Sequence, residues 1–190
     1  MKYDTGDLRG AVDLKRGFNQ GTASGLPFWS LDPRPEDIRI EDIAAQLARI
    51  CRFGGALRDD VEHYSVAQHS VLVSHHVPHG FELEALLHDA AEAYIGDHIK
   101  PIKHALPDVQ HLEALIDNVI RDKYNLPVHI SPEVKKADYE AVLTERRDVV
   151  PEPRGVDWGV AKAEPWPERI IPWDASTARF MFLRRFKELT

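Results

Sequence analysis

Leu86-Leu87-His88-Asp89-Ala90-Ala91-Glu92 sets ionisable neighbours inside an otherwise apolar run. Around it, Leu83, Leu86, Leu87, Ala90, Ala91 and Ala93 follow the rhythm of a helix with a buried face, predicted from about Phe81 to Tyr94 and stopped at Gly96. Burying His88 and Asp89 unpaired would cost several kcal/mol, so this helix must supply partners or a cation. The two side chains lie about 100° apart around a regular helix and can converge on one ion. Glu92, four positions from His88 and three from Asp89, sits one turn along the same face without having to ligate.

Two ligands make a poor site for a divalent ion, so others must come from elsewhere in the chain. Upstream, Ser65 is the expected N-cap of a helix running through Val66, His69, Leu72, Val73 and His76 to Pro78. Downstream, Ser131-Pro132-Glu133 opens a helix that continues to about Val149, before Pro151 and Pro153, and carries Asp138 beside Val134 and Ala137. Taken alone, His69 would read as a core histidine and Asp138 as a surface carboxylate. The other expected helices are an amphipathic one from Ile38 to about Phe53, one from about Asp108 to Tyr124 after a short turn at Pro101 to Leu106, and a last one from about Ala175 to Leu189. Residues 1–36 hold five of the eleven glycines and read as a loop-rich arm with a short hairpin near Thr22 to Trp29. The Pro- and Trp-rich stretch 151–173 reads as an irregular excursion, in which Trp158, Trp166 and Trp173 pack the tail onto the helices. The expected class is all-α: one domain over 1–190, with its helical core at 37–150 and an excursion plus final helix at 151–190.

Composition narrows the functions. The 190 residues are 43% hydrophobic, enough for one sizeable core, and 31 Asp and Glu against 24 Lys and Arg give a net charge of −7. A negative surface repels a phosphate backbone, so duplex nucleic acid is a poor partner, while a small phosphorylated ligand held by a few local cations is not excluded. One cysteine, Cys51, rules out an internal disulfide; it is expected on the apolar stripe of the first helix as an inert core thiol. With no apolar run long enough for a bilayer and no signal-peptide pattern, a cytoplasmic protein without membrane contact is expected. Ten histidines direct attention to metal or acid–base chemistry.

The order His69, then His88-Asp89, then Asp138, over three predicted helices, resembles the metal site of the HD-domain phosphohydrolases. Tyr64-Ser65-Val66-Ala67-Gln68-His69-Ser70 is similar to the segment carrying the first ligand, and Leu87-His88-Asp89-Ala90-Ala91-Glu92 to that carrying the pair. Gly96-Asp97, Pro101-Ile102-Lys103 and Arg52-Phe53 resemble the 5′-deoxynucleotidase branch and its phage and prophage relatives; the resemblance covers about residues 22–150.

The resemblance implies an HD-domain bundle of about six helices. His69, His88, Asp89 and Asp138 would hold one divalent ion, Mn2+, Co2+ or another transition metal, with Mg2+ and Zn2+ also compatible. Glu92 would be the catalytic carboxylate, Arg52 and Lys103 would hold phosphate, and Asp97 would accept a sugar hydroxyl. Phe53 stands where the bacterial nucleotidases carry a Trp near the sugar, and Gln68 where they carry Glu. The implied activity is hydrolysis of deoxynucleoside 5′-monophosphates by a homo-oligomer, a dimer or hexamer. The alternatives are a deoxynucleoside triphosphate triphosphohydrolase and a non-catalytic metal-containing nucleotide-binding module. Glu145-Arg146-Arg147-Asp148 reads as a solvated, self-paired helix face, and His63 as a solvated loop histidine.

Overall fold

The structure, a computed structural model, describes residues 12–13, 15–152, 154 and 164–190. Trp158 and residues 1–11 and 14 of the expected arm therefore lie outside the described residues. Two small antiparallel hairpins come first: β1 (Val12–Asp13) with β2 (Gly17–Phe18), and β3 (Gln20–Gly21) with β4 (Pro27–Phe28). The second is the expected hairpin; the arm is thus partly ordered by strand pairing. Phe28 at its end is fully buried and stacks on Tyr94 with ring centroids 3.8 Å apart, which pins the hairpin to the core.

Helices make up most of the rest: α1 (Ile40–Leu47), α2 (Val66–His76), α3 (Glu82–Leu87), α4 (Glu92–Ile95), α5 (Lys100–Ala105), α6 (Pro107–Lys123), α7 (Pro132–Asp148) and α8 (Ala175–Leu189). The chain is mostly helical, as expected. Ile43, Leu47, Val66, Leu86, Leu87, Ile116, Ile120 and Phe182 form the main core, so α8 packs into the same interior as α1, α2, α3 and α6. Among the described residues no helix is long and apolar enough to cross a membrane.

Cap chemistry explains why α2 starts where the sequence says: Ser65 Oγ accepts from Gln68 N–H at 3.1 Å. At α8, Asp174 accepts from Thr177 N–H at 2.7 Å. Ser131 occupies the cap position of α7 but turns its hydroxyl away, donating to Glu84 Oε2 at 2.6 Å. Glu84 also takes Arg121 Nη1 at 3.3 Å, a buried pair linking α3 to α6.

Three elements differ from the sequence expectation. First, α1 ends at Leu47, not near Phe53, because the following chain leaves the helix to bridge with the start of α2. Arg52 N–H donates to Tyr64 O at 2.9 Å and Val66 N–H to Ile50 O at 3.1 Å. Cys51 pairs with Ser65 in this bridge and is half-buried, so it is not a core thiol on a helix stripe. Second, 100–105 forms a helix where a turn was expected.

Third, the helix expected from Phe81 to Tyr94 breaks at its chemical centre. His88 Nδ1 lies 2.7 Å from Ala85 O, the carbonyl that a continuing α-helix would give to Asp89 N–H. The chain then winds more tightly, with Ala90 N–H to Leu87 O, Glu92 N–H to Asp89 O and Ala93 N–H to Ala90 O. Three-residue winding eclipses positions i and i+3, which sets Asp89 and Glu92 on the same side.

The tail is stitched down. The Trp166 ring stacks on His76 at 3.6 Å and the Trp166 backbone N–H donates to Thr144 Oγ1 at 2.9 Å; Gln68 donates to Ile171 O and accepts from Trp173 N–H, both at 2.8 Å. Asp148, its side chain 3% exposed, accepts from Arg147, from Arg169 and from Ile170 N–H. Burial opposes its ionisation, but these three donors win and bring its pKa down to about 2. A carboxylate depressed in the fold stabilises it above the unfolded pKa and loses that contribution as pH falls toward the folded value. Between about pH 4 and pH 2 this group should therefore cost the protein about 2 kcal/mol. Denaturant melts should show that acid-induced loss in the wild type and a much flatter acid limb in Asp148→Asn; identical pH profiles would remove Asp148 from the account of the tail.

Candidate metal centre

His69 is delivered by α2 and is fully buried. His88 and Asp89 come from the tightened turn between α3 and α4, and Asp138 from α7. His69 Nε2 lies 3.3 Å from His88 Nε2 and 3.2 Å from Asp138 Oδ1, and His88 Nε2 is 3.8 Å from that same oxygen. Among the described residues these three form a group able to hold a metal ion, with ligand atoms all within 4.8 Å of one another. Asp89 Oδ2 stands at its edge, 3.3 Å from His88 Nε2 and 3.6 Å from His69 Nε2. It is shared with Arg52, whose Nη1 is 3.5 Å away.

The protons decide whether this cluster suits a cation. Each Nδ1 faces an acceptor: Ala85 O at 2.7 Å for His88, and Glu145 Oε1 at 2.6 Å for His69. In the neutral imidazoles the Nδ1–H is committed there, which leaves both Nε2 atoms bare. Two lone pairs facing each other at 3.3 Å beside two carboxylates need positive charge between them. Without an ion, protons answer that need. Burial disfavours charge on His88, yet Asp89 and Asp138 push its pKa well up, and burial likewise fails to keep Asp138 from being held far below the usual carboxylate range by its bonds to His69 and His88. The donor set, two imidazole nitrogens and two carboxylates, fits a divalent transition metal.

Glu92 is 3% exposed, and its Oε2 has no hydrogen-bond partner while its Oε1 takes Lys103 Nζ at 3.0 Å. Burial, then the neighbouring charges of Asp89 and Asp97, push its carboxyl up to about 9. Lys103 is held in turn by Glu113 Oε1 at 2.8 Å. Arg52 is 8% exposed and spans Asp89 and Glu145, the latter at 3.2 Å, with its buried Nε unpartnered. Both cations expected to meet phosphate thus already hold carboxylates of the site. Phe53 sits beside Arg52 with φ +58, a left-handed conformation that costs a side chain about 1 kcal/mol. Asp97 follows Gly96, whose φ of +85 turns the chain out of α4 toward the site, where the carboxylate bears on both Arg52 and Glu92.

The structure corrects the expected solvated face on α7. Glu145 is fully buried and accepts from Tyr64 Oη at 2.9 Å as well as from His69 and Arg52, and Asp148 is buried by the tail. Helix spacing held the clue, since Glu145 follows Asp138 by seven residues and therefore shares its face, along with Ala141. His63 is not a free loop group either: its Nε2 lies 2.9 Å from Ala48 O.

No family model matches the chain. It is 45% identical over 175 residues to the uncharacterized protein YfdR of Escherichia coli (strain K12), an alignment that covers 89% of this chain and 94% of that protein. It is 36% identical over 132 residues to an uncharacterized protein of Rhodobacter capsulatus, covering 65% of this chain and 66% of the relative. With near-complete coverage at that identity, the chain belongs to the same protein family as YfdR.

Proposed function

We propose that this chain is a metal-dependent nucleotide phosphohydrolase of the HD-domain type, removing the 5′-phosphate from deoxynucleoside monophosphates. The observation that carries this reading is the meeting of two bare imidazole nitrogens and two carboxylates beside a buried carboxyl that has one oxygen free. His69, His88, Asp89 and Asp138 would hold one divalent ion, which when bound supplies positive charge to polarise a phosphoryl group and acidify water. Glu92 carries the proton. Burial and the neighbouring Asp89 and Asp97 favour its protonated form, and with Oε2 open it can give a proton to the departing 5′ oxygen and, once ionised, take one from water. Lys103 fixes the orientation of Glu92 and adds local positive charge in a chain of net charge −7. Asp97, beyond the Gly96 turn, would accept a sugar hydroxyl. A purely structural ion would not need the extra buried carboxyl.

The test is a nucleotide panel. Full-length protein incubated with Mn2+ or Co2+ and deoxynucleoside mono-, di- and triphosphates should release inorganic phosphate from the monophosphates. Release of triphosphate from the triphosphates would replace this assignment with the triphosphohydrolase, and no hydrolysis with any ion would replace it with a binding module.

A further inference from the structure

We propose that Glu145 is the positioning residue of the metal centre: it sets the metal affinity by fixing the His69 tautomer directly and the Asp89 carboxylate through Arg52. This inference rests on the metal-centre reading above and adds to it a residue outside the ligand set. Glu145 lies two turns beyond Asp138 on α7, so one helix carries a ligand and the group that orients another ligand. Its two oxygens have separate tasks. Oε1 accepts from His69 Nδ1 at 2.6 Å and from Tyr64 Oη at 2.9 Å, which commits the His69 proton to Nδ1 and turns Nε2 toward the site. Oε2 pairs at 3.2 Å with Arg52 Nη2, and the other end of that guanidinium reaches Asp89 Oδ2 at 3.5 Å.

Arg52 is planar, so its orientation on Glu145 dictates where Nη1 meets Asp89. Glu145 itself cannot drift, because it is wholly buried and bonded from α2's flank, from α2 and from the turn after α1. A buried carboxylate whose only task was to neutralise Arg52 would not need the imidazole. His88, the other imidazole of the centre, directs its Nδ1 to the backbone Ala85 O, so of the two it is His69 that a carboxylate orients.

Cobalt(II) titration of the full chain, followed by its visible absorption and by competition with a chelator, should give one site in the wild type. Glu145→Gln keeps an acceptor for His69 but loses the charge, and should bind cobalt about 10- to 100-fold more weakly. Because that variant leaves Arg52 short of a partner and could lose its fold, a second readout uses the wild type alone. In the zinc-loaded protein, 15N–1H correlation spectra of the histidine rings should show His69 protonated on Nδ1, its proton shifted strongly downfield by the carboxylate. Equal cobalt affinity in folded Glu145→Gln, or a His69 ring lacking the Nδ1 proton, overturns the proposal. Failure of the wild type to bind cobalt or zinc overturns the metal-centre reading itself, and this one with it.

Discussion

Glu92→Gln should lose turnover by about 10³-fold while retaining its metal. The substitution is nearly isosteric, keeps an oxygen for Lys103 Nζ, and removes only the capacity to hold and release a proton at the free Oε2 position. The effect should fall on kcat and leave KM close to that of the wild type, because Glu92 acts on the proton and does not hold the nucleotide. Metal content after dialysis should be unchanged, since Glu92 lies one turn from the ligands and is not among the grouped donors. Turnover equal to that of the wild type would remove Glu92 from the chemistry.

Asp138→Ala should abolish both metal retention and turnover, a larger loss than the roughly 100-fold that removal of an outer partner costs. Asp138 Oδ1 is the atom that both imidazoles approach, at 3.2 and 3.8 Å, and its α7 is the element that closes the site opposite the α3–α4 turn. Its side chain is also 38% exposed, so the substitution removes little packing and the fold should survive. Metal analysis, a thermal melt and a phosphate-release assay on the same preparation check this. A folded Asp138→Ala that keeps stoichiometric metal would show that the ion, if any, is held elsewhere.

Much of this arrangement is legible in the sequence, for reasons that differ by element. Ser65 and the apolar spacing after it give α2 and the placement of His69; Pro132 gives the start of α7; Ala178 and Phe182 give α8. These depend on local chemistry that acts within one or two turns. What the sequence conceals depends on partners far along the chain. The break at His88 arises because an imidazole takes its own helix's carbonyl, and periodicity of apolar residues carries no trace of that. The early end of α1 reflects a bridge to residues 64–66. Glu145 hides inside a charge run that looks solvated, and only its seven-residue distance from Asp138 hints that it faces inward.

The same contrast separates the proposed ligands from the proposed substrate groups. His69 and Asp138 sit on regular helices, α2 and α7, and His88 and Asp89 on the turn that directly follows the buried α3. Arg52, Lys103 and Asp97 come from turns and a short helix, and two of the three are already tied to carboxylates of the site. A phosphate would therefore enter a network in which cations and anions are balanced, and its binding would draw Arg52 or Lys103 away from existing partners. Gln68, on the helix of His69, is committed to holding the tail at Ile171 and Trp173, which gives the residue beside the first ligand a structural task.

The most direct measurement is anomalous diffraction from crystals grown with Mn2+. One strong peak is expected, bounded by His69 Nε2, His88 Nε2 and the carboxylates of Asp89 and Asp138, with Glu92 beside it and not bonded to it. A map with no peak among those four side chains, or with the ion lodged away from His69, would contradict the proposed metal centre.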